Sequence, residues 1–526
     1  MKRLPAVSAL LVFAITWLLY RDATLNHFYE MGAGSDPMWF SGMLWHGDLW
    51  LTSPRGMGPD TYYNAHLTPL LVLPALASHF FEFDSVGWYA VVIGAFHAFT
   101  TAGLTWLVSR SARATWSRPI WAELLAGAIG IAFALSGAQA QYLTLPHHEI
   151  IIPGLLTALL SACALRSYRW AGFWLASVIL AREDGGLHAF LILGVVVLLI
   201  RWRERRWLKN EAVLAIVALA GGLAAFALMR VIAPRPVGYF FSTYIGDPAF
   251  AQLHDLGPRA WYFICQNGHV WAPLALMALA SALQRDLLLA AGPLAIMPWL
   301  LTQVFLGLPH GTWTLAFHYA FPLLFAVSWP TLHALYRRAQ PCAPSPRGDR
   351  WRGHWWVLQL LTVVCLYMPT LSTTIPDSGS RYRFMQFSLT TATGGADAVQ
   401  SFRRVLAAGR GELGRVAASL GVIGLAPEMF DRSEWLELLP ASSAKPAPAN
   451  LDTILLWDGR YICPEANALI AATGWSHVFE LIGTRVVVIS RRPLEDLPSF
   501  APFLVRRSPR PQYCRRPSVE AFATSP

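Results

Sequence analysis

Between residues 4 and 372 the chain alternates long apolar runs with short clusters of arginine and lysine, and this alternation limits the fold more than any other feature. At about 20 apolar residues per bilayer crossing, the runs predict helices over 4–20, 87–108, 120–137, 150–165, 170–181, 187–200, 211–230, 263–283, 287–306, 315–335 and 355–372. The basic clusters are Lys2-Arg3, Arg110 to Arg118, Arg166 to Arg169, Arg201 to Lys209, Arg285, and Arg337 to Arg352. Threading about eleven spans places nearly all of them on one face, which the positive-inside rule makes cytoplasmic. The expectation is a polytopic α-helical membrane protein with a cytoplasmic N-terminus and an extracytoplasmic C-terminal region.

Composition agrees. Apolar residues make up 55% of the 526 and charged residues only 14%, which excludes an ordinary soluble protein of this length. The net charge of +10 does not call for nucleic acid, because the surplus sits in inner loops, where insertion orientation and anionic membrane lipids account for it. No small-x-small cleavage site follows the first apolar run, so it reads as a signal anchor. Cys163, Cys265 and Cys365 lie in or beside apolar runs and read as core residues, whereas Cys463 and Cys514 share the C-terminal segment and have the opportunity to pair in an oxidising compartment.

The predicted membrane domain is 1–372, with outward segments at 21–86, 139–149, 234–269 and 306–318. Leu67 to Phe81 is apolar but short and interrupted by Pro69 and Pro74, which suits a helix lying at the interface or dipping into the bundle. The runs on either side of Arg182-Glu183-Asp184-Gly185-Gly186 are short, so they either tilt around a shared polar apex or form a partly re-entrant pair. Residues 373–505 mix helical and strand-like patterns, with buried strands expected at Thr453 to Trp457 and Arg485 to Ile489, and suggest an extracytoplasmic α/β domain. Residues 506–526 are basic and proline-rich and are expected to be disordered.

Several outer residues are candidates for chemistry. Asp36, in Gly34-Ser35-Asp36-Pro37, can act as a general base at the membrane boundary; its place before a proline also suits a helix cap. His66, His148 and Glu149 lie in successive outer segments and form a candidate divalent-metal or pyrophosphate site. His147 is not counted with them, because adjacent histidines at a helix start point in different directions. Arg182, Glu183 and Asp184 are the costliest charges in the chain, since unpaired ions near a bilayer core are strongly disfavoured. His318 and Tyr319 are candidates to hold a phosphate or orient a sugar.

Asp36 with its aromatic followers, His66-Leu67-Thr68-Pro69, His147-His148-Glu149, Arg182-Glu183-Asp184 and Phe317-His318-Tyr319 together resemble the DUF2079 family of bacterial membrane proteins, a domain of unknown function. That family usually shows an aromatic residue after the first histidine, Phe-His-x-Glu, and Lys-Glu-Asp. This chain departs from the pattern at Leu67, His147 and Arg182. The family is similar in layout to membrane glycosyltransferases of the GT-C class. The resemblance, which covers about residues 30–495, implies a bacterial inner-membrane enzyme that takes a sugar from a polyprenyl-phosphate donor on the extracytoplasmic face. It implies Asp36 as the base, Arg182 and His148 against the lipid phosphate, and Glu183 and Asp184 orienting the sugar or a metal. Two other readings are a transporter or flippase using Glu183 and Asp184, and a non-catalytic membrane scaffold.

Overall fold

The computed structural model describes residues 7–31, 35–53, 61–64, 66–141, 147–232, 254, 256–302, 321–339 and 354–368, and beyond these 402–407, 413–418, 420–423, 426, 436–438, 451–457, 475, 477–481, 486–494 and 504–507. By their contacts the residues fall into two units, one of Met1–Arg21, Tyr63–Leu73 and Val91–Met385, the other of Asp22–Tyr62, Pro74–Ala90 and Gln386–Pro526. This differs from the division expected from composition. Much of the segment 21–86 groups with the C-terminal residues: the helix Ser35–His46 meets the short helix Leu420–Ile423, and Arg403 Nη1 pairs with Asp84 Oδ2 at 3.1 Å.

Helix is present in every apolar run. Among the described residues four helices are long and apolar enough to cross a membrane by length and composition: Val7–Leu25 (within Val7–Met31), Ser85–Arg113, Gly185–Glu204 and Lys209–Ile232. Shorter apolar helices include Pro119–Ala134 and Trp355–Cys365. The run predicted at 263–283 is broken by Asn267 into Leu256–Gln266 and Gly268–Gln284, so residues from 256 onward are helical instead of part of an outer loop. The run predicted at 315–335 contains Phe321–Val327 and Trp329–Ala339, separated at Ser328. The Leu67 to Phe81 stretch holds a 12-residue helical segment, Pro69–Phe80, too short to span.

The Lys209–Ile232 helix shows the logic of a bilayer. After Glu211 in the first turn, its buried positions are Ala215, Ala218, Gly222, Ala225 and Met229, spaced three and four apart, whereas Val213, Ile216, Leu223 and Leu228 are exposed. Small residues inside and large apolar residues outside reverse the pattern of a helix in water. They suit a helix that packs closely on protein and presents its bulk to lipid. The partner helix is Gly185–Glu204, and the two approach so closely that a Cβ on Gly186 would lie 2.6 Å from the Gly222 nitrogen. The large apolar core is shared by the helices from Ser85 to Trp355. Cys163 and Cys365 are buried in this unit as expected, but Cys265 is exposed, because it falls on an outward face of the Leu256–Gln266 helix.

At the other end of the Gly185–Glu204 helix, charges are tied down by Asp286. Its carboxylate accepts from Arg203 Nη1 at 2.8 Å, His333 Nε2 at 2.9 Å and Arg337 Nε at 2.9 Å, and also caps the turn that follows through the Leu288 N–H at 3.2 Å. Arg337 also donates to Glu204 at 2.5 Å. Burial alone would raise the proton affinity of Asp286; the His333 and Arg337 contacts outweigh it and hold the carboxyl well below its ordinary 3.8. A group depressed by folding contributes stability above its unfolded pKa and loses it as pH falls below. Asp286→Asn is therefore expected to lower stability by roughly 2–3 kcal/mol near neutral pH. Its unfolding profile should be flatter than wild type below about pH 5 in an acid titration followed by tryptophan fluorescence.

In the second unit the helix Ser35–His46 places Trp39 edge-on to Tyr62, with ring centroids 4.9 Å apart, and Phe40 edge-on to the same ring at 5.0 Å. Trp39 Nε1 donates to Ser53 Oγ at 2.7 Å. The aromatic followers of Asp36 are thus packing residues. A six-stranded sheet has the order β2-β1-β3-β5-β4-β6, with β1 Val416–Ala418, β2 Leu436–Leu438, β3 Thr453–Trp457, β4 His477–Leu481, β5 Val486–Ser490 and β6 Leu504–Arg507. β1 runs parallel to β2 and β3, and the remaining pairs are antiparallel. β6 continues to Arg507, so the start of the basic tail is paired in the sheet instead of disordered from 506. Cys463 and Cys514 lie outside the described residues.

Candidate functional site

The site begins with a break in a helix pair. Tyr168–Ala181 ends at Arg182, whose backbone is extended, and Gly185–Glu204 starts three residues later with Asp184 at its N-cap position. Gly185 has no room for a side chain against the Val178 carbonyl, and Gly186 none against Gly222. The two glycines therefore let the second helix start flush against its neighbours, leaving Arg182-Glu183-Asp184 as a tight polar apex. Arg182 and Glu183 are 6% and 3% exposed.

The second strip is His147-His148-Glu149. His147 is extended (φ −142°, ψ 153°) and leads into a single 3-10 turn, His148–Ile150, which runs on into the helix Ile151–Ala164. Thr100 Oγ1 donates to the Ile150 carbonyl at 2.5 Å and ties this turn to the Ser85–Arg113 helix. All three side chains are buried.

The third strip is His66-Leu67. His66 Nδ1 lies 2.7 Å from Glu183 Oε1, and the Leu67 N–H donates to Glu183 Oε2 at 3.1 Å. Leu67 packs in a small apolar cluster with Ala225 and Met229.

Arg182 joins the strips. Its Nη1 donates to Glu149 Oε1 at 3.0 Å, and its Nε lies 3.3 Å from Asp184 Oδ1 and 3.9 Å from Glu183 Oε1. Its guanidinium also faces the Phe321 ring, 5.9 Å from the centroid. His188 Nε2, one helical turn beyond Asp184, is 3.6 Å from Asp184 Oδ2. Desolvation by burial favours the protonated form of Asp184, but the nearby Arg182 charge and His188 outweigh it and hold the carboxyl below the usual carboxylate range.

His66, His148, Glu149, Arg182, Glu183 and Asp184, all singled out in the sequence, thus belong to one connected constellation, and the structure adds His147 and His188. The expected metal grouping changes. His66 pairs with Glu183, whereas His147, His148 and Glu149 offer ligand atoms all within 4.8 Å of one another. The two imidazoles stack with centroids 4.7 Å apart, contrary to the expectation that neighbouring histidines diverge. The reason is that His147 precedes the turn in extended backbone and is not on the helix. The Asp184–His188 pairing had a sequence signal, the i, i+4 spacing at a helix start.

Asp36 is the second residue of Ser35–His46, inside the first turn; the helix starts at Ser35, so Asp36 is not the cap expected from Pro37. His318 and Tyr319 lie outside the described residues.

No family model matches the chain, and no curated protein matches it. Among solved structures it is similar to ArnT from Cupriavidus metallidurans bound to undecaprenyl phosphate, at 12% identity and a TM-score of 0.48 over 92% of this chain and 98% of that one. The apo state of ArnT gives a TM-score of 0.43 at the same identity and coverage. The long apolar helices and their lipid-suited faces define a mostly helical membrane protein.

Proposed function

We propose that the chain is a membrane glycosyltransferase that uses a polyprenyl-phosphate sugar donor on the extracytoplasmic face, with its N-terminus cytoplasmic and its C-terminal domain extracytoplasmic, in a bacterial inner membrane. The observation that carries this reading is the constellation around Arg182, in which His147, His148, Glu149, Arg182 and Glu183 are buried. Three carboxylates, one guanidinium and four imidazoles collected at helix ends of an apolar bundle oppose stability, and such groups are retained where they bind or react. Carboxylates accept hydrogen bonds from sugar hydroxyls, which suits Glu183 and Asp184. Arg182 and His148 are cationic or proton-donating partners for a lipid phosphate. Asp36 would take the proton of the acceptor hydroxyl. His318 and Tyr319 complete the proposed substrate contacts.

A proton-coupled transporter is less well supported. Its coupling carboxylate would need to gain and lose a proton near neutral pH, whereas Asp184, although burial opposes it, is kept below the usual carboxylate range by Arg182 and His188. A passive scaffold would not need polar residues from three separate segments to meet.

The test uses purified full-length protein in lipid nanodiscs with a panel of undecaprenyl-phosphate sugars, following release of the carrier lipid by mass spectrometry. Wild type releases carrier from at least one donor. Asp36→Asn, folded to the same yield, is slower by at least about 100-fold, the lower end of what a lost general base costs. Wild-type rates in that variant would remove Asp36 from the mechanism, and no release from any donor would favour transport.

A further inference from the structure

We propose that His147, His148 and Glu149 form a three-ligand site for a divalent metal ion of the zinc type, with Arg182 fixing the carboxylate from behind. Glu149 is used on both sides. Its Oε1 accepts from Arg182 at 3.0 Å, and its Oε2 turns toward the imidazoles, in direct contact with His147 Nδ1 and 3.9 Å from His148 Nδ1. The three residues are 4%, 3% and 1% exposed, so little water competes for these positions.

The donor set selects the ion. Two imidazole nitrogens and one carboxylate oxygen suit zinc and its neighbours, whereas magnesium and calcium prefer oxygen ligands throughout. Ligand atoms within 4.8 Å of one another need only small rotations to reach the roughly 3.3 Å edges of a tetrahedron with bonds of about 2.0–2.1 Å. Three protein ligands leave a further position open, as in zinc sites that act on a substrate. An outer partner orienting a ligating group is also typical, and Arg182 fills that place for Glu149.

Charge balance points the same way. Glu149, Glu183 and Asp184 gather their carboxyl groups around the single Arg182 guanidinium among the described residues, a setting that favours a further cation. The open position can then take a phosphate oxygen, a role that rests on the proposed glycosyl transfer, whereas the metal site itself does not.

The experiment uses full-length protein in detergent, stripped with EDTA, reloaded with Zn²⁺ or Co²⁺ and dialysed, with bound metal counted by mass spectrometry. Wild type is expected to hold one ion per chain. His333→Gln, which alters the distant Asp286 cluster, is expected to hold the same. His147→Gln/His148→Gln should bind more weakly by over 100-fold, beyond the roughly 10–100-fold that an outer-partner change produces. Since that variant can fail by misfolding, His148→Cys provides a second reading: its Co²⁺ form gains a thiolate-to-cobalt charge-transfer band absent from wild type. A wild type that takes up no metal, a double variant that keeps a full equivalent, or a cobalt-loaded His148→Cys without the band overturns the site. Zinc held by wild type with no carrier release leaves this site standing and removes the transferase reading; carrier release by a wild type that takes up no metal does the reverse.

Discussion

Arg182→Met is expected to destabilise the membrane unit by about 3–5 kcal/mol, the range found when one partner of a buried charge group is removed. Methionine matches the length of the arginine stem, so the packing loss is small and the effect is electrostatic. Among the described residues Arg182 is the one guanidinium touching Glu149, Asp184 and Glu183, at 3.0, 3.3 and 3.9 Å. Without it the three carboxylates repel one another, and Glu149 and Glu183 have almost no water to solvate them. Arg182→Lys should recover only part of the loss, because an ammonium is a point charge and cannot present separate N–H groups to Glu149 and Asp184. The decisive comparison is the double variant. Glu149→Gln on the Arg182→Met background removes one of the stranded charges, so it should be more stable than Arg182→Met alone, although Glu149→Gln by itself is destabilising. Unfolding in a graded denaturing detergent, followed by tryptophan fluorescence, measures all four proteins. Simple additivity of the two changes would mean that Glu149 and Arg182 do not act as a pair.

The same cluster shows what could be read from the sequence. Ionisable residues amid apolar runs are conspicuous, so His66, Glu149, Arg182, Glu183 and Asp184 stood out, and the cost of burying them implied that they would seek one another. The way they do so was not legible. The rotation of His147 toward Glu149 depends on one extended residue before a 3-10 turn, a detail below the resolution of periodicity. Helices were legible because apolar runs and basic clusters mark their course; the break at Asn267 falls in the polar stretch Gln266-Asn267-Gly268-His269, inside the run predicted at 263–283, whereas Ser328 is a single polar residue between apolar ones. In the C-terminal region β3 and β5 were visible as runs of branched apolar residues. β1 and β2 are three residues long and parallel, held by partners distant in the chain, so no local pattern announces them.

Gly186→Val is expected to be as damaging as the loss of Arg182, through sterics alone. A Cβ at Gly186 would lie 2.6 Å from the Gly222 nitrogen, 2.7 Å from the Ala218 carbonyl oxygen and 2.8 Å from the Gly222 Cα. All three are backbone atoms of the neighbouring helix, so no side chain can rotate aside and the helices must separate. Overpacking in a core that can adjust costs about 1–3 kcal/mol; here the rigid backbone should push the effect beyond that range. Separation would also shift Asp184 and Glu183, which immediately precede the glycine pair, so the variant should lose the site as well as the packing. Gly172 is the internal control: it lies in the adjoining helix, and a Cβ added there would meet no described atom within 4 Å. Gly172→Ala should be neutral or stabilising by up to about 1 kcal/mol through helix propensity, whereas Gly186→Ala, despite the same propensity gain, should be clearly destabilised. Equal stabilities for the two alanine variants would show that the Gly185 and Lys209 helices do not meet at Gly186, and that the polar apex is held by its charges and not by the contact beneath it.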